Sequence, residues 1–318
     1  MDDYPALHDL LMTTTFDAVI DFSAFKRSEV KRVLPYLKKN NTLVYIFISS
    51  DSVYEVCVKE DDQLPTKESD DVRPTDHFLR KKLKEKDDYG HDKLKCEEYI
   101  REFCSTCRLN YVILRLADVI GTRDGTDRWW QYQLWIKACV ASKLPLYIPA
   151  SFECTDQQLS FVYVNDIARL VCRMINRSVN VQTTPALNGA YNLACEETLT
   201  LTSFLHKVFA NTQQSGTLVV RPCHDTSVPH IYPSVEKGPI DISKAKKLLN
   251  WQPTRIDDAI SQIVAFYEDV CDQQLQYKSE KADIFETIMD ENFEDVKFYT
   301  KQDLKQMRKF LTKTLQVT

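Results

Sequence analysis

Glycine is scarce in this chain: there are six in 318 residues, and none before Gly90. A residue without a β-carbon lets backbone N–H groups close on a phosphate, so the residues ahead of Gly90 hold no turn of the kind that cradles a pyrophosphate. No apolar stretch is long enough to span a bilayer, which argues against a membrane-embedded protein. An excess of positive charge is missing too. Lys and Arg number 41 against 46 Asp and Glu, a formal net charge of -5, which argues against a dedicated nucleic-acid binder. The basic run Arg80-Lys81-Lys82-Leu83-Lys84-Glu85-Lys86 is flanked by Asp87 and Asp88 and by the acidic stretch from Glu68 to Asp71, so it reads as a solvated, self-compensating loop. No secretory leader is seen, and ten cysteines at irregular spacing read as reduced thiols in a cytoplasmic protein. Cys104-Ser105-Thr106-Cys107 has no second pair at zinc-site distance, and Cys223-His224 with His230 lacks a fourth ligand; no metal site is expected. There is no internal repeat and no low-complexity segment.

What is present is an alternation. From Phe16 to Asn192, short apolar or β-branched runs alternate with longer amphipathic ones, the pattern of parallel strands joined by crossover helices. Asp17 to Phe22 reads as a buried strand. Ser28 to Lys39 reads as a helix with Ser28 as its N-cap and Val30, Val33, Leu34 and Leu37 on one face. Leu43 to Ser49 reads as a strand ending in Ser49-Ser50-Asp51-Ser52, and Glu55 to Asp88 as a long polar loop or lid. A helix carrying Tyr89 and Lys93 runs on through Tyr99 and Phe103, and Tyr111 to Leu114 returns as a strand. Trp129, Trp130, Tyr132 and Trp135 fall at helical spacing, a packing stripe. A helix over 197–211 and a short strand at Leu218-Val219-Val220 follow. Near the end, Thr300-Lys301-Gln302-Asp303 resembles a capping box and places Leu304, Met307, Leu311 and Leu315 on one face, to pack on the body or on a partner.

The chemistry concentrates in three residues. A four-residue step on a helix stacks Tyr89 and Lys93 on one face, and a nearby cation favours the phenolate form of a tyrosine. A hydroxyl such as Ser50, at the end of a neighbouring strand, would hydrogen-bond the same substrate oxygen. Ligands of open parallel sheets sit beyond the carboxyl ends of the strands, where Ser50 and Ser52 are expected. Such a trio suits oxidation or reduction of a carbinol.

Ser50 ahead of Val53-Tyr54, then Tyr89-x-x-x-Lys93 running into Leu94 and Glu97, resembles the extended short-chain dehydrogenase/reductase family, in particular its NAD-dependent epimerase/dehydratase branch. Further matches follow in order. Ile113 to Gly121 resembles the family's "LRxxNVYG", Phe161 to Ala168 its "FVHVDDVA", and Tyr191-Asn192-Leu193 its "YNLG". Asp241-Ile242-Ser243-Lys244-Ala245 with Leu248-Leu249-Asn250-Trp251-Gln252-Pro253 resembles its closing "D-x-SKA…LGWxP". The similarity spans roughly residues 15 to 268.

The resemblance implies an α/β fold: an incomplete Rossmann-like, doubly wound parallel sheet over residues 1–125, joined by strands from about 158–195. A smaller substrate lobe would occupy mainly 126–268, and a C-terminal helical extension 269–318. It implies Tyr89 as acid/base, Lys93 as the group that lowers its pKa and holds a nicotinamide ribose, and Ser50 as the residue that orients the substrate. Phe22, Ser23, Ala24 and Ala117 would join Tyr89 and Lys93 around NAD or NADP, and Ser52 and Asp118 would join Ser50 around a small-molecule substrate. Asp17 to Phe22 aligns with the family's fourth strand, so the glycine-rich start is expected to be missing through truncation of an active parent, with weak cofactor binding and an exposed sheet edge as consequences. Asp118 stands where sugar-nucleotide enzymes place an asparagine, and a carboxylate there repels phosphate. Ala117 and Leu159-Ser160 also depart from the pattern, toward the atypical branch with its reductase-like and stem-loop-binding members. The alternative is a non-catalytic binding or regulatory protein on the same scaffold, with an RNA or protein partner. The family often forms homodimers through the YxxxK helix.

Overall fold

Most of the β-branched runs become parallel strands and the amphipathic stretches helices in the computed structural model, which describes residues 4–39, 42–59, 64–107, 109–150, 157–180, 187–224, 237–273 and 299–315; the strand expected at Leu218-Val219-Val220 instead runs Val220–Cys223. The chain divides into two units. The first holds Met1–Ala117, Asn165–Ala194 and Val235–Pro253; the second holds Asp118–Val164, Cys195–Ser234 and Thr254–Thr318. The division falls after Ala117 rather than near residue 125, and Val235–Pro253 belongs to the first unit rather than to a substrate lobe.

In the first unit the elements are α1 (Tyr4–Thr13), β1 (Ala18–Asp21), α2 (Arg27–Lys39), β2 (Val44–Ser50), α3 (His77–Lys86), α4 (Asp88–Ser105), β3 (Asn110–Leu116), α6 (Val164–Asn180), β7 (Gly189–Leu193) and α8 (Ser243–Leu249). The sheet order is β1-β2-β3-β7, all parallel. β2 is buried from Val44 to Ser49, which is why its sequence is a near-continuous apolar run rather than an alternation. Register puts Asp21 beside Phe47 and Ser50 beside Leu116, so Ser50 stands at the carboxyl end of the sheet and the loop after β1 runs alongside the last turn of β2. β1, at the edge, is only half-buried.

Val30, Leu34 and Leu37 of α2 are fully buried against Cys96, Ile100 and Cys104 of α4. Each such aliphatic side chain contributes about 1.5–3 kcal/mol of burial. The N-terminus of α2 is held by Glu29, not by Ser28: the Glu29 carboxylate accepts from the backbone N–H groups of Phe25 (2.7 Å) and Lys26 (2.8 Å), while Ser28 lies inside the first turn. The expected loop over 55–88 is also more ordered than its composition suggests. Val58 and Val72 form an antiparallel bridge, and the basic run lies on α3. Asp76 caps that helix by accepting from Leu79 N (2.6 Å), Lys81 pairs with Glu85 on its exposed surface, and Lys84 pairs with Asp88 at the start of α4. A helix that buries none of its residues needs such support.

The second unit contains β4 (Asp118–Ile120), α5 (Arg128–Ser142), β5 (Leu146–Pro149), β6 (Phe161–Tyr163), α7 (Leu201–Asn211), β8 (Val220–Cys223), α9 (Ile256–Gln273) and α10 (Lys301–Leu315). β6 does not return to the large sheet; it pairs with β4, and β5 pairs with β8, each in parallel. The tryptophan stripe is packing: Trp129, Trp130, Tyr132 and Trp135 are buried, with Phe204 edge-on to Trp129 at 5.5 Å and stacked on Phe161 at 4.7 Å. α7 begins four residues later than expected because the Thr200 hydroxyl caps it, accepting from Ser203 N at 3.1 Å. The last helix packs against α5, with Met307 and Leu311 fully buried. Its capping box is reciprocal, with Thr300 N donating to Asp303 Oδ2 (2.9 Å) and Asp303 N to Thr300 Oγ1 (3.2 Å). The remainder of the expected C-terminal extension, 274–298 and 316–318, and His230 lie outside the described residues. Among the described residues no helix is long and apolar enough to cross a membrane.

Candidate active site at the carboxyl ends of the strands

Ser50 ends β2 and caps the 3₁₀ turn Asp51–Val56: its Oγ accepts from Ser52 N (3.1 Å) and lies 3.2 Å from Ser52 Oγ and 3.3 Å from Asp51 Oδ1. α4 starts against this turn. Asp87 caps it by accepting from Gly90 N (2.7 Å), and the Ser52 carbonyl approaches Gly90 so closely that a Cβ there would lie 2.1 Å from the oxygen. Gly90 is therefore used for close approach, and it brings Tyr89 to the segment that carries Ser50 and Ser52.

Lys93 sits one turn further along α4 and is 3% exposed. Its Nζ donates to the carbonyl oxygens of Ala24 and Ile48, both at 2.9 Å, tying α4 to the ends of β1 and β2. Three rings surround the ammonium: Phe47 with its centroid at 4.7 Å, Phe25 at 5.0 Å and Tyr89 at 6.0 Å. Burial pushes the Lys93 pKa below its usual value, and nearby acidic groups oppose that shift. Tyr89 is 43% exposed and packs its ring on Phe25 at 5.7 Å. Lys93 and Tyr89 thus share one helix face as the spacing predicts, with Phe25 as an unforeseen third member.

The other side of α4 is fixed by a buried charge network that carries no local sequence signal. Arg115 on β3 is fully buried, and its guanidinium donates to Glu97 on α4 through Nε (3.1 and 3.2 Å) and Nη2 (2.5 Å). It also donates to Asp71 Oδ2 (2.5 Å), Tyr54 Oη (2.8 Å) and the Glu68 carbonyl (3.2 Å), so both of its charged neighbours and all three nitrogens are engaged. Ser49, just before Ser50, donates to Glu97 at 2.6 Å, and Tyr54 donates to Asn192 Oδ1 on β7 at 2.6 Å. Arg101 pairs with both Asp71 and Glu97. Burial alone would raise the Asp71 pKa; Arg115 and Arg101 overcome it and hold the carboxyl below its usual range.

The remaining expected positions divide. Asp21 closes the turn after β1, accepting from Ser23 N (3.0 Å), Ala24 N (2.9 Å) and the Tyr45 hydroxyl (2.6 Å). Phe22 is 64% exposed at this end of the sheet, whereas Ala24 and Ala117 are buried, and Ala117 N donates to the Leu193 carbonyl at 3.2 Å. Asp118 belongs to the second unit, where Arg128 Nη1 donates to it at 3.3 Å. Its carboxylate therefore carries a neutralising partner that the sequence reading omitted. Elsewhere, Cys104 and Cys107 sit at the end of α4, and burial pushes the Cys104 thiol up to about 12. The eight described cysteines are free thiols.

The profile of the NAD dependent epimerase/dehydratase family matches residues 2–194, more than half of the chain. The chain belongs to this family. No curated protein matches its sequence. Among solved structures it is similar to UDP-glucose 4-epimerase from Thermotoga maritima with UDP-glucose, at 18% identity, covering 84% of this chain and 82% of that one, with a TM-score of 0.60. It is similar as well to the UDP-glucose 4-epimerase of Thermus thermophilus in complex with NAD (18%, 83% and 82%, TM-score 0.60). UDP-N-acetylglucosamine 4-epimerase from Methanobrevibacter ruminantium is a third (20%, 81% and 79%, TM-score 0.58). These likenesses identify the Rossmann-like fold. The family's nicotinamide cofactor fits the described residues unevenly. Lys93 and Tyr89 suit a ribose hydroxyl and a reacting carbinol, but no glycine precedes Gly90, so the described residues ahead of it hold no turn that opens backbone N–H groups to a pyrophosphate.

Proposed function

We propose that this protein is an NAD(P)-dependent epimerase, dehydratase or reductase acting on a hydroxyl or carbonyl group of a nucleotide sugar. Tyr89 is the acid/base, Lys93 is the cation behind it, and Ser50 is the hydroxyl that orients the substrate oxygen. The observation that carries this reading is the placement of Lys93, bonded at 2.9 Å to the carbonyls of Ala24 and Ile48 with the Tyr89 ring 6.0 Å from its ammonium, in a chain of this family. A fixed cation in an apolar, ring-lined setting favours negative charge on a neighbouring oxygen. In the oxidising direction the Tyr89 oxygen, as phenolate, takes the O–H proton of the carbinol while Ser50 donates a hydrogen bond to the oxygen that becomes the carbonyl; in the reducing direction Tyr89 returns the proton to that oxygen and Ser50 keeps its hydrogen bond. A bound oxidised nicotinamide supplies the hydride acceptor. Lys93 and Tyr89 would hold its ribose end.

The nucleotide-sugar part of the proposal draws support from the UDP-sugar epimerases of the same fold. The test is to incubate the full chain with UDP-sugars and saturating NAD or NADP and to follow products by chromatography. Conversion by the natural chain that is lost in Tyr89→Phe is the expected result. Absence of conversion with both cofactors, or equal conversion by Tyr89→Phe, rejects it.

A further inference from the structure

We propose that Phe25 determines which ligands reach the Lys93 ammonium: its ring closes the outer side of an aromatic sleeve and must swing away before a ligand hydroxyl can bond to Nζ. This extends the acid/base reading of the site to a residue outside the trio. Lys93 is 3% exposed although its helix neighbour Tyr89 is 43% exposed, so something other than α4 covers it. Phe47, fully buried on β2, lies on the inner side at 4.7 Å. Phe25 stands 5.0 Å from Nζ and packs on the Tyr89 ring at 5.7 Å, yet is itself 51% exposed, so its ring has solvent to move into. Its backbone is pinned. Phe25 N donates to Glu29 Oε2 (2.7 Å), and the Cys96 thiol donates to the Phe25 carbonyl (3.5 Å), which leaves side-chain rotation as the available motion. A cation–π contact at this distance holds the closed position with a modest attraction that a ligand can replace. The sleeve therefore selects a ligand that presents a hydroxyl oxygen on a flat or apolar body able to take the place of the phenyl ring.

The experiment is competitive amine acetylation of the full chain with an N-hydroxysuccinimidyl ester, read by peptide mass spectrometry. Exposed Lys82 serves as the reference in the same sample. If the ring is closed about nine-tenths of the time, Lys93 labelling relative to Lys82 rises about tenfold in Phe25→Ala. Phe25→Leu, which keeps an apolar side chain of intermediate size, gives an intermediate rise and carries the test if the alanine variant does not fold. Exposing Lys93 returns its pKa toward the ordinary value and lowers the neutral amine fraction, so faster labelling reports access rather than basicity. Equal relative rates in the natural chain and a folded Phe25 variant overturn the proposal, as does labelling of Lys93 as fast as Lys82 in the natural chain. No cofactor or substrate enters this measurement. Failure of the UDP-sugar assay leaves its outcome standing, and the reverse is also true.

Discussion

The carbonyl oxygen of Ser52 occupies the place where a side chain at Gly90 would begin, 2.1 Å from an ideal Cβ. Both the turn that carries Ser50 and the first turn of α4 that carries Tyr89 depend on that approach. Gly90→Ala is expected to force the two apart and to cost about 1–3 kcal/mol, as overpacking does. Gly125→Ala is the control, since nothing lies within 4 Å of a Cβ there, and its effect should stay within about 0.5 kcal/mol. Urea denaturation of the two variants measures both. Equal stability of the two would contradict the contact.

Tyr89→Phe removes one oxygen from a ring that is 43% exposed and packed on Phe25. Its melting temperature should stay close to that of the natural chain, while turnover in the UDP-sugar assay falls about 10²–10⁴-fold, the usual contribution of a general acid/base. A large loss of melting temperature would recast Tyr89 as a structural residue.

Arg115 and Glu97 are both fully buried and bonded through Nε and Nη2. Removing Glu97 leaves Arg115 with Asp71 as its remaining charged partner, and removing Arg115 leaves Glu97 with Arg101, so Glu97→Gln should destabilise by about 1–3 kcal/mol rather than by the full cost of a lone buried charge. Arg115→Met should cost a similar amount, and the double variant less than their sum, with a coupling of about 0.5–3 kcal/mol. Additive losses in a denaturant double-mutant cycle would show that the pair does not act as a unit.

Much of the site is legible in the sequence because its signals are local. Ser50 lies at the end of an apolar run, and the Tyr89 to Lys93 step is one helical turn, so period and position alone place them. The Glu97–Arg115 pair is separated by 18 residues and Ser49–Glu97 by 48, on different elements, and no window of residue spacing reveals such partners. Phe25 escaped notice for a related reason: an exposed phenylalanine in a turn becomes meaningful only once β2 and α4 bring Phe47 and Lys93 beside it. The cap of α2 illustrates competition between two good candidates. Ser28 has the favoured residue type, but the carboxylate of Glu29 reaches two backbone N–H groups together. The pairing of β6 with β4 rather than with the large sheet was not readable either, because a three-residue buried strand offers no register preference of its own.

Thr300 and Asp303 bond each other's backbone N–H groups at the start of α10, whose Met307 and Leu311 complete the second unit's core. Thr300→Ala should lower stability by about 1 kcal/mol, while Thr300→Ser, which keeps the hydroxyl, should retain most of it. Calorimetric melts of the two variants compare them directly, and equal losses would mean that the hydroxyl is not the capping group.

His91 offers a pH test within the Tyr89 to Lys93 turn. Its Nδ1 lies 3.0 Å from Arg73 Nη1, which can only donate, so Nδ1 is the acceptor and the ring is neutral. Burial first, and then the charges of Arg73 and Lys95, lower its pKa to about 4, with Asp92 opposing and Lys84 adding to the shift. A histidine with a depressed folded pKa binds its proton more readily when unfolded. Its contribution is therefore intact above about pH 6.5, the ordinary histidine value, and is lost progressively as the pH falls toward 4. Glu98 pairs with Arg73 on the far side at 2.5 Å. His91→Gln retains an acceptor for Arg73 but cannot titrate, so the stability of the natural chain should fall more steeply than that of the variant between pH 6.5 and 4. Denaturant melts of both proteins across that range decide the matter: a stability difference that stays constant with pH would mean that His91 titrates alike in the folded and unfolded chain and would overturn its lowered folded pKa.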